Sequence, residues 1–218
     1  MEKLISVAVS LMLAVMLCSC GLGNNPTNSG NNDNSDISND SSDSFEVGKV
    51  SENKYSNGFL GIGCILDSQW VFKTDEEIKE VNNITLDMLD DDIKAQLENA
   101  KIVYDMMATA ENGSTININI ENLGVGGALK TVESYVSPQI DSLRTALEQM
   151  GLTDVSIEIK NFDFAGKSEK ALYVHALANG IVFEEAVIVL KRGTRFANIT
   201  VATTEGNLPD ILANFYAI

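Results

Sequence analysis

The chain has 218 residues, with 31 acidic and 15 basic side chains and a formal net charge of −16 at pH 7. Nucleic acid is therefore not expected as a partner, because such binding depends on lysine and arginine side chains that neutralise phosphates. Three cysteines and a single histidine leave few arrangements for thiol or histidine chemistry.

The N-terminus has the organisation of a lipoprotein signal peptide. A short start containing Lys3 precedes an apolar run at residues 4–17, which is shorter than the roughly 20 residues that a membrane-spanning helix needs. The run ends in the sequence LCSCG at residues 17–21, which resembles the lipobox of bacterial lipoproteins. The resemblance implies cleavage after residue 19 and a diacylglyceryl thioether, with acyl chains such as palmitate, on Cys20.

Two alternatives remain open for this segment. Lipidation of Cys18 would require cleavage after the bulky Leu17, and a plain secretory signal would leave both cysteines incidental. If Cys20 carries two or more acyl chains, they suffice for stable attachment to a membrane. The expected location is the extracytoplasmic face of the cell membrane, with the membrane as a partner through the lipid on Cys20.

Three regions follow from composition. Residues 1–19 are the predicted signal peptide. Residues 20–50 are a lipidated tether, rich in asparagine, serine, aspartate and glycine, which buries too little apolar surface to fold. Residues 51–218 are long enough for a single domain with a core. A strand at residues 46–51 is an open alternative to the last part of the tether.

The first half of the domain mixes strands and helices. Asn57-Gly58 predicts a tight hairpin turn into a strand at residues 59–66, because both turn positions accept positive φ. Thr74 and Glu77 have the spacing of a capping box, which predicts a short helix. Apolar residues at helical spacing predict a second helix over residues 86–100.

The middle of the chain predicts an antiparallel hairpin and a helix. Strands are expected at residues 102–109 and 115–121, and in the second strand isoleucines alternate with Asn117, Asn119 and Glu121. This alternation predicts one buried face and one solvated face. A helix is expected over residues 132–150, with Pro138 marking either an interior strain or a turn before the helix proper.

The last third predicts four strands, at residues 154–161, 168–178, 181–191 and 195–203, and a closing helix over residues 208–215. Because short turns join the strands, we expect an antiparallel sheet rather than parallel units. The predicted fold class is α+β, with an antiparallel sheet of about six to eight strands flanked by helices.

Short motifs give a further resemblance. At residues 55–62, at Trp70, at residues 75–77 and in the closing apolar helix, the chain resembles Gram-positive bacterial lipoproteins of unassigned activity with a PsbP-like domain. The sequence DSQW at residues 67–70 lacks the proline usual in that family. The resemblance implies a PsbP-like fold and a non-catalytic binding or assembly role. It transfers no functional residue to this chain.

The residues that could form a catalytic or nucleotide-binding site are each expected to have a structural role instead. The only histidine, His175, is expected opposite Glu184 across the Asn179-Gly180 turn. Cys64 lies in an apolar strand pattern and is expected to be a buried, unreactive thiol. Residues 161–168 end like a phosphate-binding loop but lack its first glycine, and a strand follows where that motif needs a helix.

Three features remain as candidate binding sites. Trp70 and the aromatic residues Tyr55, Phe59 and Phe72 could line a groove for a sugar or a peptide. Asn117 and Asn119 could form a partner surface on the solvated sheet face. The carboxylates of Asp90, Asp91 and Asp92, near Asp87, could bind Ca²⁺, although acidic residues at a helix start are also favoured by the helix dipole.

These observations favour a lipid-anchored, extracytoplasmic, non-catalytic module that binds an envelope protein or a cell-wall component. One alternative is a lipoprotein that binds a small ligand or a cation, and another is a hydrolase with no recognisable motif. No catalytic residue, cofactor or resident metal is predicted.

Overall fold

The structure is a computed structural model that describes residues 45–84 and 90–218. The predicted signal peptide, Cys20 and most of the predicted tether lie outside the described residues. In chain order the strands are β1 (Lys49–Ser51), β2 (Lys54–Asn57), β3 (Ile62–Ile65), β4 (Trp70–Phe72), β5 (Ile102–Ala110), β6 (Thr115–Asn122), β7 (Thr153–Phe164), β8 (Lys167–Ala178), β9 (Ile181–Arg192), β10 (Arg195–Thr203) and β11 (Phe215–Ala217).

The strands form two antiparallel sheets. The large sheet has seven strands in the order β4-β5-β6-β10-β9-β8-β7, and the small sheet has four in the order β1-β2-β3-β11. The predicted α+β class with an antiparallel sheet is confirmed, but the division into two sheets was not predicted. Two-residue turns whose residues all have positive φ, Ala165-Gly166 and Asn179-Gly180, join β7 to β8 and β8 to β9.

The helices are short and lie mostly between strands. In chain order they are α1 (Asp75–Val81), α2 (Asp90–Asn99), α3 (Val125–Ala128), α4 (Val132–Val136), α5 (Ile140–Gln149) and α6 (Leu208–Leu212). Among the described residues, no helix is long and apolar enough to cross a membrane. The predicted capping box is confirmed, because the Glu77 amide donates to Thr74 Oγ1 at 3.3 Å and the Thr74 amide donates to Glu77 Oε2 at 2.8 Å.

Proline 138 divides the predicted long helix, which supports the second of the two interpretations of that residue. A 3₁₀ turn over Ser137–Gln139 contains Pro138 and joins α4 to α5. The helix ends before Gly151, which has a φ of +88°.

Apolar clusters cover both faces of the large sheet. On one face, Ile118 and Ile199 pack with Tyr55 and Phe215 of the small sheet. On the other face, Leu172 and Val187 pack with residues of α4 and α5. The large sheet is therefore the middle layer, with the small sheet and α6 on one side and α4 and α5 on the other.

The prediction of a solvated face on β6 is wrong. Asn117 is 2% exposed and Asn119 is 0% exposed, so the two asparagines face the interior. The strand lies between β5 and β10, near the middle of the large sheet. Alternation along one strand reports which residues share a face, and it does not report whether that face is covered.

The first hairpin differs from the predicted two-residue turn. Asn57 pairs with Ile62, so residues 58–61 form a four-residue loop between β2 and β3. The Asn57 side chain is 1% exposed, and its Oδ1 accepts a hydrogen bond from the Leu60 amide at 2.8 Å. This buried contact closes the longer loop.

The two ends of the described domain also differ from the prediction. Phe45 is 7% exposed and packs edge-on against Phe59, and β1 begins at Lys49, so folded chain starts before residue 51. The closing helix ends at Leu212 rather than at residue 215. Phe215 instead pairs with Cys64 and begins β11, because the edge of β3 is available for pairing.

Candidate functional site

An open groove runs between the first described residues and helices α1 and α2. It has two adjoining parts, with cavity volumes of about 380 Å³ and about 530 Å³. Val47, Lys49, Ile93 and Leu97 line both parts, so the two are continuous. Each volume lies within the range of about 300–1,000 Å³ that is common for ligand pockets.

Asn82 fixes one wall of the groove. It follows α1, and its Nδ2 donates to the carbonyl oxygens of Ile78 at 3.0 Å and Tyr104 at 2.7 Å. Its Oδ1 accepts from the Tyr104 amide at 2.8 Å. One asparagine thus satisfies the end of the helix and the backbone of β5 together, which holds α1 against the large sheet.

Asp105 lies at the floor of the groove. An irregularity in the β5–β6 register between Tyr104 and Met106 turns its side chain toward the small sheet. The carboxylate is 6% exposed and accepts from the Gly48 amide at 2.6 Å, from Asn57 Nδ2 at 2.8 Å and from the Tyr55 hydroxyl. These bonds join residues about 50 positions apart in the chain.

The electrostatics of this cluster favour a structural role. Burial raises the pKa of Asp105, and the hydrogen bonds from Tyr55, Gly48 and Asn57 oppose that rise. Burial, together with the neighbouring Asp105, raises the pKa of Tyr55 well above its ordinary value. Both carboxylate oxygens already accept bonds from the fold, so Asp105 is poorly placed to take a proton from a substrate.

Charged side chains surround the groove. The cationic lining residues are Lys49, Lys73 and Lys79. The acidic lining residues are Glu46, Asp75, Glu98 and the buried Asp105. Lys73 forms an ion pair with Glu77 at 3.0 Å, while no ion pair of Lys49 or Lys79 is found in the described part of the chain. An apolar groove with two such lysines suits a ligand that combines apolar groups with carboxylates.

A second polar region lies on the opposite face of the large sheet. Its members are buried side chains of three adjacent strands: Thr115, Asn117, Asn119 and Glu121 of β6, Asn198 and Thr200 of β10, and Glu185 of β9. We call this group the polar stripe. Burial raises the pKa of Glu121, although the hydrogen bond from the Tyr135 hydroxyl, at 2.9 Å, lowers it.

Hydrogen bonds connect some side chains of the polar stripe to each other and to Tyr135. Asn198 Nδ2 donates to Asn119 Oδ1 at 3.1 Å and to the Tyr135 hydroxyl at 3.0 Å. In contrast, the Asn117 amide, the Thr200 hydroxyl and both Glu185 carboxylate oxygens have no hydrogen-bond partner among residues 45–84 and 90–218. Burial raises the pKa of Glu185 well above its ordinary value.

The predicted partner surface is not one surface. Trp70 begins β4 at the edge of the large sheet. It is partly buried and packs against the apolar cluster between the large sheet and the small sheet. Asn117 and Asn119 belong to the polar stripe on the buried side of β6. Tyr55, predicted with Trp70 as a possible groove residue, is 0% exposed and is part of the apolar core.

Cys64 and His175 occupy the expected structural positions. Burial raises the pKa of the Cys64 thiol to about 12, which keeps it protonated and unreactive near neutral pH. His175 lies directly opposite Glu184, as predicted from the Asn179-Gly180 turn. The loop-like sequence at residues 161–168 forms the ends of β7 and β8 and the turn between them.

The acidic cluster can be placed only by its backbone. Asp90, Asp91 and Asp92 form the start of α2, and Asp87 lies outside the described residues. Within the described ranges, no group of three or more histidine, cysteine, aspartate or glutamate side chains is arranged to hold a metal ion.

Sequence reasoning missed Asp105 and Glu185, although each leaves a signal. Asp105 is the single charged residue in the otherwise apolar or neutral strand β5. Glu185 stands beside Glu184 in a strand that continues as the apolar run AVIVL. Because side chains alternate across a strand, two adjacent glutamates in a strand covered on both faces place at least one carboxyl group inside.

Comparisons with known proteins give little further information. No family model matches the chain, and no curated protein matches it. Among the solved structures that match is a protein of unknown function, PA94, from Pseudomonas aeruginosa, with 15% identity and a TM-score of 0.28. The match covers 44% of this chain and 63% of that one, so less than two thirds of that structure is spanned.

Proposed function

We propose that this protein is a lipid-anchored, extracytoplasmic, non-catalytic binding module whose groove receives an apolar, carboxylate-bearing segment of an envelope protein. The observation that carries the proposal is the groove between residues 45–50 and helices α1 and α2. Apolar side chains line much of it, and its lysines Lys49 and Lys79 form no ion pair with the described residues. The lipobox-like sequence before Cys20 supports the anchoring.

Three titratable groups of the described residues occupy structural positions, which supports binding rather than turnover. The carboxylate at the floor of the groove, Asp105, is held by three donors from the fold. Cys64 is a buried, protonated thiol, and His175 pairs with Glu184 on β9. A partner that contacts the groove through apolar packing and two lysines needs none of these groups to react.

Site-specific photocrosslinking on intact cells tests this proposal. Photoreactive residues are placed at Lys49 and Lys79, and a matched control replaces Lys167, an exposed lysine outside the groove. We expect one protein to be captured from positions 49 and 79 but not from position 167. Capture of nothing, or equal capture from all three positions, contradicts the assignment of the groove.

The anchoring is tested separately. Mass spectrometry of the processed protein is expected to show a diacylglyceryl group on Cys20 and no residues from 1–19. A soluble processed protein without lipid contradicts the anchoring, whatever the groove binds.

A small-ligand function is the second candidate, and the polar stripe favours it. Asn117, Thr200 and Glu185 together present buried donors and acceptors without partners among the described residues. Buried polar groups are normally satisfied, and a bound polar molecule would satisfy them. Native mass spectrometry of the protein from its own host is expected to show a dissociable ligand that N117A and E185Q variants lose, and a ligand-free spectrum contradicts this candidate.

A further inference from the structure

One end of the large sheet, which we call the tether edge, holds the start of the described chain. The ring of Phe45, the first described residue, lies 4.0 Å from the guanidinium carbon of Arg195. Arg195 begins β10 and pairs with Asn122, the last residue of β6. Any chain that precedes Phe45 therefore enters the domain beside the end of β6 and the start of β10.

The loop after β6 presents two aliphatic side chains to solvent at this edge. Val125 is 87% exposed and Leu129 is 90% exposed. Val125 begins the single turn of α3, and Leu129 caps its C-terminal end. No other large apolar side chain in the described ranges is as exposed. Exposed aliphatic groups that lie together mark a contact surface more often than isolated ones do.

The shape of this loop is fixed rather than loose. A Cβ atom on Gly127 would lie 2.4 Å from the Thr194 carbonyl oxygen, so only glycine allows the loop to pack against the β9–β10 turn. The ammonium group of Lys191 donates to the carbonyl oxygens of Ala128 and Lys130, both at 2.7 Å. The fold thus holds Val125 and Leu129 outward.

The charge of the tether edge is opposite to that of the whole protein. The chain carries a net charge of −16. The cationic side chains at the tether edge are Lys101, Lys130, Lys191, Arg192 and Arg195. Its acidic side chains are Glu46, Glu98 and the buried Glu121, and the nearby Glu133 forms an ion pair with Lys170. The β7–β8 turn at the far side of this edge adds one residue of each sign, Asp163 and Lys167.

The other end of the same sheet has the reverse character. Its loops carry Asp67, Glu111, Asp154 and Glu205, and residues 67–70, 111–114, 150–154, 179–180 and 204–207 contain no lysine or arginine. The domain is therefore a dipole along the strand direction, with its positive end where the preceding chain enters.

We infer that the tether edge is a membrane-contact surface, in which Val125 and Leu129 enter the headgroup region of an anionic bilayer while Lys101 and Lys130 contact its headgroups. The inference rests on the proposed function only through the anchoring at Cys20. Because the anchor already holds the domain near the bilayer, contact is an intramolecular step, and a small surface suffices. The acidic end then points away from the membrane.

Reconstitution of the lipidated, processed protein into vesicles tests the inference. An environment-sensitive fluorophore is attached through V125C, and a matched control is attached through I181C, an exposed aliphatic position at the opposite end. Cys64 is buried and does not compete for the label. One set of vesicles contains phosphatidylcholine alone, and the other also contains phosphatidylglycerol.

We expect a blue-shifted emission from position 125 on the anionic vesicles, which added salt reverses, and no shift from position 181 on either set. Each of K101Q and K130Q, combined with V125C, is expected to lower the ratio of bound to free domains about fivefold, because a lysine near an anionic surface contributes about that factor. L129S is expected to lower the same ratio without changing its salt dependence.

The outcomes separate this inference from the proposed function. Protein that floats with the vesicles but gives equal emission from positions 125 and 181 overturns the membrane-contact surface and leaves the anchoring intact. Protein that does not float, and lacks the lipid mass on Cys20, overturns the anchoring instead. A shift at position 125 that occurs in cells but not on protein-free vesicles assigns the surface to a protein partner and also overturns the inference.

Discussion

Two buried carboxyl groups on opposite faces of the large sheet, Asp105 and Glu185, differ in their hydrogen bonding. Toward the small sheet, Asp105 accepts hydrogen bonds from three donors. Toward the helices, Glu185 is 0% exposed and has no hydrogen-bond partner in the part of the chain that the structure describes. Burial raises the pKa of both groups, but only Asp105 has hydrogen bonds that oppose the rise.

Asp105 therefore stabilises the fold, whereas the burial of Glu185 without hydrogen bonds lowers the stability of the fold. The bonds of Asp105 join the first described residues, the small sheet and β5, so its removal affects three elements at once. Glu185 lies between Val174 of β8 and Ala202 of β10, and its carboxyl group forms no hydrogen bond with the described residues. In other proteins, a buried polar group that does not stabilise the fold often belongs to a functional site.

The largest predicted effect is the loss of the Asp105 contacts. In a D105A variant the Gly48 amide, the Tyr55 hydroxyl and the Asn57 amide lose their shared acceptor inside the protein. We expect the free energy of unfolding in urea to fall by about 3 to 5 kcal/mol, because each unsatisfied buried donor costs about 1–3 kcal/mol. The control D163A, at an exposed residue of β7, is expected to change it by less than about 0.5 kcal/mol. A loss below about 1 kcal/mol for D105A contradicts the structural role.

The second prediction concerns pH and Glu185. Because its pKa is raised in the folded protein, the folded state keeps a proton that the unfolded state has already released above the ordinary glutamate pKa. The contribution of this proton to stability is complete below that ordinary pKa and is lost as the pH rises toward the folded pKa. The free energy of unfolding of the wild type should therefore fall as the pH is raised above about 5.

An E185Q variant sharpens this prediction, since glutamine has a similar shape and does not titrate. Urea unfolding across the same pH range should show a flatter profile for E185Q than for the wild type. Asp105 contributes in the same direction, because its pKa is also raised, so a residual slope should remain. Identical slopes for E185Q and wild type would mean that Glu185 is ionised in the folded protein.

The sequence predicted local structure better than it predicted burial. The hairpins of β7 to β10 follow from Asn179-Gly180 and from apolar runs, and the α1 start follows from Thr74 and Glu77. These signals are local: each depends on residues within one turn or one strand. The pairing of β11 with β3 was missed because an edge that accepts a distant strand has no local signature.

The candidate sites depend on contacts between distant residues, which explains why the sequence did not give them. Asp105 meets Tyr55 and Asn57 only after the small sheet packs on the large one. Asn117 and Asn119 have the alternation of a half-solvated strand, and their burial depends on the helices that pack over that face of the sheet. The groove likewise combines residues 45–50, which composition assigned largely to the tether, with two helices.

The third prediction tests the hydrogen bonds between Tyr135 and the polar stripe. The Tyr135 hydroxyl donates to Glu121 at 2.9 Å and accepts from Asn198 at 3.0 Å. A Y135F variant keeps the ring that stacks on Phe196 but removes both bonds, and we expect a loss of about 1 to 2 kcal/mol in urea unfolding. The partly exposed Tyr173 provides a control, because water can replace the hydroxyl that Y173F removes. Equal losses for the two variants contradict a special role for the buried hydroxyl.

The smallest effect is expected for His175, on the same face of the sheet as Asp105. His175 stands opposite Glu184 in the β8–β9 register, and both side chains are partly exposed. The Glu184 carboxylate accepts a hydrogen bond from the Tyr173 hydroxyl rather than from His175. We expect H175Q to change the free energy of unfolding by less than about 0.5 kcal/mol, within the range of a cross-strand pair. Cellular crosslinking from position 49 should also be unchanged, because the pair lies on strands that do not line the groove. A large loss of captured partner without a loss of stability would assign the only histidine of the chain to binding, and it would place a contact on β8 as well as at the groove.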